Sequence, residues 1–228
     1  MAFKDEYAPS TLMKLLLSTG ILMGTLIPAL LMSGHGDFLI QHLKFRTIEG
    51  NTYRQLLMVS CSLIYLFRLA TCMFVFIKRR IGWVEGGLVS FLFFMMFYLF
   101  NASAGSHFEP IGLIDIAGVF LYLTGSYINS LADYQRYVWK KNAENKGRLY
   151  TKGLFKYSMH INYFGDSLLY IGLAIVTLEY VCLFVSIGII LNLVFLQIPM
   201  LDKYLSKKYA DEFGEWAKRT KKFVPFVY

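Results

Sequence analysis

Four polar residues close the fourth apolar stretch of the chain: Ser126, Asn129, Ser130 and Asp133. Asn129 and Asp133 are four residues apart, so on a helix they share one face near the membrane interface. An ionisable side chain that faces the interior of a membrane bundle is a candidate for function. The alternative is that Asp133 only marks the end of the span and pairs with Arg136, and the spacing alone favours neither interpretation.

The elements that would position these residues are membrane helices. Hydrophobic residues make up 56% of the 228-residue chain, more than the roughly half that is usual in soluble domains. They occur in long runs with few charges, and about 20 apolar residues in a helix cross the hydrocarbon core. We therefore expect a single all-α membrane domain over residues 1–228, a bundle of about six helices within a range of five to seven. The predicted spans are approximately 11–33, 55–77, 86–104, 110–132, 165–179 and 181–201.

A polar but periodic segment follows the last span. From Leu201 to Ala217, apolar residues recur at steps of three and four, while the opposite face carries lysines and glutamates. This pattern predicts an amphipathic C-terminal helix from Asp202 to Thr220.

Basic residues cluster after the second, fourth and sixth spans, and the formal net charge is +8. With six spans these clusters share one side of the membrane, which the positive-inside rule makes cytoplasmic. Both termini are then cytoplasmic in a multi-pass integral membrane protein. The first loop fits less well, because it carries Lys44, Arg46 and Arg54. Nucleic acid is not an expected partner, since topology and anionic lipid headgroups already account for basic loops beside membrane spans.

The three cysteines, Cys61, Cys72 and Cys182, all lie inside apolar runs. Such residues usually behave as small core hydrophobes. Their positions indicate neither a disulfide framework nor a metal site.

Three segments of the C-terminal half carry a resemblance to a known family. They read LADYQ at 131–135, GRLYTKGLFKYSMHINYFGD at 147–166 and KKYADEFGEWAKRTKKFVPF at 207–226. Together they resemble the steroid 5-alpha-reductase-like membrane family, and most of all its bacterial branch, a domain family of unknown function. The resemblance covers a C-terminal region from 110 to 228. The same superfamily includes isoprenylcysteine carboxyl methyltransferases and phospholipid methyltransferases.

The resemblance implies a cofactor site for NADPH, with the diphosphate at the basic side and the nicotinamide inside the bundle. Dinucleotide phosphates need Lys or Arg donors, and ribose and amide groups need residues such as Asn and Asp. The positions that match the family's cofactor residues are Asn129, Asp133, Lys140, His160, Asn162, Tyr163, Asp166, Trp216 and Arg219.

The chain departs from the family pattern at Met159 and Ile161, where relatives carry Arg and Pro. The change at Met159 removes a cation expected to hold a phosphate or a carboxylate. In the methyltransferase relatives the C-terminal helix begins with two glutamates, and here those positions are Leu201 and Asp202. Both departures disfavour S-adenosylmethionine more than a dinucleotide.

Glu85 and Tyr98 in the third span are the candidate catalytic acid pair, because the reductases use a Glu and a Tyr to polarise an enone carbonyl. The alternative is that Glu85 is an interfacial anchor and Tyr98 a core aromatic residue.

Three functions follow from the resemblance and from the residues. The first is an NADPH-dependent oxidoreductase that reduces a C=C bond of a lipophilic substrate, steroid-like or an enone or polyprenyl lipid. The second is an S-adenosylmethionine-dependent methyltransferase acting on a lipid or an isoprenylcysteine carboxylate. The third is a non-catalytic membrane protein that binds lipid.

The charge distribution predicts the topology. A Lys146→Cys variant should resist an impermeant maleimide in intact cells, whereas a Ser106→Cys variant should be labelled, because the loop from Ser103 to Glu109 has no Lys or Arg. Labelling both variants in detergent controls for reactivity. The reverse pattern in intact cells would contradict the predicted orientation.

Overall fold

The computed structural model describes residues 10–76 and 80–227, and the regular secondary structure in these ranges is helical. These ranges contain no β-strand, only one isolated parallel bridge between Ser158 and Lys221. The eight α-helices of the described ranges are α1 Thr11–Met32, α2 Asp37–Leu43, α3 Thr52–Thr71, α4 Trp83–Ser106, α5 Leu113–Lys141, α6 Ile161–Thr177, α7 Tyr180–Asn192 and α8 Ile198–Arg219.

Two π-helical turns extend this helix set. Cys72–Phe76 continues α3, and Leu193–Gln197 joins α7 to α8. The amphipathic C-terminal helix predicted from Asp202 to Thr220 forms most of α8, but a kink with non-helical backbone at Ala210 (φ 28°) interrupts it. The second π-helical turn also makes α8 continuous with the apolar α7 before it. The indole residue of α8, Trp216, is buried, as the periodic pattern requires.

Four described helical segments are long and apolar enough to cross a membrane: Thr11–Met32, Thr52–Phe76, Trp83–Ser106 and Tyr180–Arg219. The protein is therefore a multi-pass membrane protein, and the apolar surfaces of its helices suit contact with lipid. Of the other two predicted spans, α6 is apolar but shorter. The remaining one corresponds to α5, whose 29 residues extend well beyond the predicted end at 132 into the polar segment.

Helices α5 and α6 touch backbone to backbone through glycines seven residues apart on each helix: Gly118 and Gly125 on α5, Gly165 and Gly172 on α6. A Cβ atom on Gly172 would lie 2.5 Å from both the Gly118 carbonyl oxygen and the Tyr122 nitrogen. Small residues permit such close approach in membranes, where helix association depends on packing because lipid is as apolar as the helices.

At one end of the bundle, Arg54 of α3 and Asp115 of α5 form a buried ion pair in which the side chains are 1% and 2% exposed. The guanidinium also donates to the carbonyl of Val176 at the end of α6, at 3.1 Å. Asp115 in turn accepts from the Gly112 nitrogen at 2.8 Å and caps α5. Arg54 is one of the three basic residues that make the first loop fit the positive-inside rule less well. Its charge is neutralised by Asp115 inside the protein, so Arg54 does not add to the exposed positive charge of that loop.

The glycine contact predicts that the same substitution destabilises the protein at one site and is tolerated at another. Gly172→Ala should destabilise the protein by about 1–3 kcal/mol, since the added methyl group overpacks the contact between α5 and α6. Gly188→Ala in α7 is the matched control, because a Cβ atom there meets nothing within 4 Å. The control should leave the melting temperature in detergent unchanged or slightly higher. A Gly172→Ala variant as stable as the control would contradict the close approach of the two helices.

Candidate functional site

The end of α5 and the start of α6 are joined by a hydrogen bond next to the glycine contact. The Asn129 amide donates to the Asn162 carbonyl at 3.0 Å. Asp133, one turn further along α5, accepts from the Arg136 guanidinium at 2.6 Å and from the Cys72 thiol at 3.5 Å. Asn129 and Asp133 are both buried and share one face, as their spacing predicts. The pairing of Asp133 with Arg136 also occurs, so the two sequence interpretations of Asp133 are compatible.

Arg68 of α3 brings a third helix to this polar cluster. Its guanidinium donates to the Asn129 side-chain oxygen and to the Asp166 carboxylate, the latter at 3.2 Å. It also lies 4.9 Å from the centre of the Tyr65 ring. A cation inside a membrane bundle needs such partners, because water is absent there.

His160 immediately precedes α6 and is almost fully buried, with 1% exposure. Its Nε2 lies 2.8 Å from the Asp202 carboxylate of α8, and the other oxygen of that carboxylate lies 3.0 Å from the Lys222 ammonium. The Tyr163 ring stacks on the imidazole, with ring centres 5.8 Å apart. The His160 Nδ1 is buried and has no hydrogen-bond partner among the described residues.

The C-terminal segment holds this region in place. The nitrogen of Met159 donates to the Lys221 carbonyl at 2.8 Å, and the nitrogen of His160 to the Lys222 carbonyl at 3.1 Å. Trp216 of α8 donates through its indole to the Phe155 carbonyl at 3.1 Å. The loop before α6 is therefore fixed from both α8 and the chain end.

These elements enclose a cavity of about 1010 Å³, at the upper end of the roughly 300–1,000 Å³ of small-molecule sites. Cationic residues line it where α5 ends and on α8: Arg136, Lys140, Lys141 and Lys208. Arg68, Asp166, Tyr65 and Tyr170 line it deeper between α3 and α6. Tyr150, in the loop between α5 and α6, also lines the cavity, and burial raises the pKa of its hydroxyl.

Eight of the nine residues predicted to bind a cofactor line this one cavity: Asn129, Asp133, Lys140, His160, Asn162, Tyr163, Asp166 and Trp216. The ninth, Arg219, is exposed and lines a smaller neighbouring pocket with Arg148, Lys152, Glu212 and Glu215.

Glu85 and Tyr98 are not among the residues that line the cavity. Glu85 lies in the first turn of α4, and the Tyr98 ring contacts Phe94 of α4 and Phe45. The structure does not bring this pair together with the predicted cofactor residues, and their catalytic role stays a prediction.

The sequence argument missed Arg68, Tyr65 and Tyr170, which lie deep in the cavity. Arg68 is the only charge in the apolar run from Gln55 to Ile77, and that isolation was the available signal. Arg68 matters because the buried Met159 stands at a position where the resemblance predicts an arginine. The cavity therefore lacks a cation at position 159 but has others, including Arg68.

The comparisons with known proteins bear on the same region. No curated protein matches the chain. A family model described as a protein of unknown function, DUF1295, matches residues 76–220, which is more than half of the chain and includes α4 to α8 with most of the cavity. The chain belongs to the DUF1295 family.

Proposed function

We propose that this protein is a membrane-embedded NADPH-dependent reductase of a lipophilic substrate, steroid-like or an enone or polyprenyl lipid, and a member of the steroid 5-alpha-reductase-like superfamily. One observation carries the proposal. Residues matched to the cofactor positions of that superfamily come from α5, α6, α8 and the loop before α6, and eight of them line one cavity. Function depends on such a site and does not follow from the fold alone.

The shape and charge of the cavity suit a dinucleotide. It follows α5 from Asn129 to Lys141, a distance of about 18 Å at 1.5 Å per residue. Four of its cations, Arg136, Lys140, Lys141 and Lys208, lie toward the Lys141 end, where they would bind phosphate groups, because Lys and Arg form strong hydrogen bonds with such anions. The amides of Asn129 and Asn162 lie deeper and offer both donors and acceptors to ribose or carboxamide groups.

NADPH would supply a hydride when bound. The chain's part in the reaction is to hold that cofactor by its phosphates, orient it with Asn129 and Asn162, and keep water away from the reacting atoms. The buried Nδ1 of His160 has no hydrogen-bond partner among the described residues, while Nε2 is engaged by Asp202. A hydroxyl or amide group of the ligand would give this nitrogen the partner it lacks.

The cavity offers fewer suitable groups to the alternative cofactor, S-adenosylmethionine. Its amine needs the acidic pair of the methyltransferase relatives. The acidic residue present here, Asp202, already holds His160 and Lys222. Leu201 occupies the other position and has no charge.

We also propose that α5 and α6 complete a six-span bundle as its fourth and fifth spans. The basic end, where α5 terminates and α8 begins to turn polar, would then face the cytoplasm together with both termini. Cytoplasmic NADPH would enter from that end, and the lipophilic substrate from the membrane.

The proposal predicts NADPH binding that weakens as salt rises, because phosphate contacts with exposed lysines are screened. At a hundredfold excess over Kd, NADPH should stabilise the detergent-purified protein by about 2.7 kcal/mol.

Lys140→Gln should weaken NADPH binding. Lys207→Gln is the control, since Lys207 is exposed and not among the cavity-lining residues. Isothermal titration that finds S-adenosylmethionine binding more tightly would favour a methyltransferase, and binding of neither cofactor would favour a lipid-binding protein.

Asp133 and Asn162 provide a second test of the same site. A hydrogen bond to a charged group contributes about 1.5–3 kcal/mol, so Asp133→Asn and Asn162→Ala should each weaken NADPH affinity roughly 10- to 100-fold. The double variant should lose less than the sum if both contact one ligand group. Melting temperatures without cofactor separate binding from stability. Unchanged affinity in both single variants would remove these residues from the site.

A further inference from the structure

Two tyrosines form a hydrogen-bonded pair in the interior of the bundle. The hydroxyl oxygens of Tyr65 on α3 and Tyr170 on α6 are 2.7 Å apart. Their side chains are 2% and 7% exposed, and both line the cavity that contains the predicted cofactor residues. A buried phenol normally has a hydrogen-bond partner, and here each phenol has the other.

The pair holds two hydroxyl protons, of which the hydrogen bond between the oxygens uses one. Within residues 10–76 and 80–227 the structure gives neither hydroxyl a second partner. The other proton is therefore available to an acceptor that enters the cavity. A ligand oxygen is the natural acceptor, since the surrounding side chains are mainly aromatic, including Phe93 and Phe97 against Tyr65.

Charged side chains flank the pair on both helices. Arg68 lies one turn from Tyr65 along α3, with its guanidinium 4.9 Å from that ring. Asp166 lies one turn from Tyr170 along α6 and accepts from Arg68 at 3.2 Å. A phenolate formed at Tyr65 or Tyr170 would be close to the Arg68 cation, and in a site that excludes water such a fixed charge stabilises developing charge strongly. Asp166 holds the guanidinium in place.

We propose that the Tyr65–Tyr170 pair is the proton donor of this site and acts on the carbonyl oxygen of the enone substrate, an α,β-unsaturated carbonyl lipid. This inference rests on the proposed reductase function. With NADPH bound as the hydride donor, the β-carbon would gain a hydride and NADP⁺ would remain, while the C=C electron pair would shift to form a new C=C bond to the carbonyl carbon. The carbonyl π electrons would move to the carbonyl oxygen, this oxygen would take the phenol proton, and the substrate would become an enol. The enol would return to the ketone or aldehyde when its hydroxyl gives its proton back to the phenolate, which restores the phenol, and its α-carbon gains a proton that ultimately comes from solvent.

This assignment differs from the carboxylate–phenol pair that the family resemblance suggests in Glu85 and Tyr98. The two phenols come from different helices and share a hydrogen bond, so loss of either hydroxyl breaks the pair. Both Tyr65→Phe and Tyr170→Phe should therefore impair proton transfer.

The test uses the full-length protein in lipid nanodiscs with NADPH and two probes, androst-4-ene-3,17-dione and trans-2-hexadecenal. Loss of NADPH absorbance measures turnover, and isothermal titration measures NADPH affinity. Each Tyr→Phe variant should lose about 100-fold or more in kcat, the usual contribution of a general acid, with unchanged NADPH affinity. Tyr122→Phe is the matched control. Tyr122 is a buried tyrosine of α5 that donates to the Cys61 carbonyl at 2.6 Å and is not among the cavity-lining residues. Its variant should retain turnover.

Four other results are possible, and each would overturn a different part of the proposal. Wild-type turnover that survives in both Tyr→Phe variants would overturn the role of the pair and leave the reductase function standing. A wild-type protein that binds NADPH but reduces neither probe would overturn the unsaturated carbonyl as substrate. Loss of NADPH affinity along with turnover would make the pair a cofactor-positioning device and overturn proton donation. Absence of NADPH binding by the wild-type protein would overturn the proposed function itself.

Discussion

The backbone contact between α5 and α6 is the constraint on which the cavity depends. In a bilayer no hydrophobic driving force separates helices from lipid, so association depends on how closely the helices can approach. The glycines at 118, 125, 165 and 172 bring the two backbones into contact. That approach lets the Asn129 amide reach the Asn162 carbonyl across the interface. Larger residues there would separate the polar groups that the site requires to be close.

Charged side chains inside the bundle need partners of opposite charge, because no water is there to solvate them. Arg54 and Arg68, both on α3, are each paired with a carboxylate of another helix. Arg54 and Asp115 are surrounded by backbone carbonyls at a helix junction, so that pair is a structural clamp. Arg68 and Asp166 line the cavity, where a ligand can contact them. Two similar ion pairs on one helix therefore have different surroundings: one is enclosed by backbone carbonyls, and the other borders the cavity.

The sequence predicted the helices well and the interior less well. Apolar runs located the helices because lipid tolerates little else. The continuity of α7 with α8 was not predicted, since the polar face of α8 resembles a separate interfacial helix. The polar face around Asn129 and Asp133 was found because four-residue spacing is a local property. Tyr65 and Tyr170 could not be distinguished by type, since the chain has 16 tyrosines. Their contact joins residues 105 positions apart, and local sequence spacing gives no information about such a contact.

The Arg54–Asp115 clamp also has an evolutionary consequence. Replacing one member leaves an uncompensated charge in a low-dielectric interior, which costs several kcal/mol, whereas joint replacement by well-packed apolar residues is often neutral. The two positions therefore cannot drift independently. Among relatives they should change together, through lineages that have exchanged the ion pair for a hydrophobic contact, and a chain with one member alone should be rare.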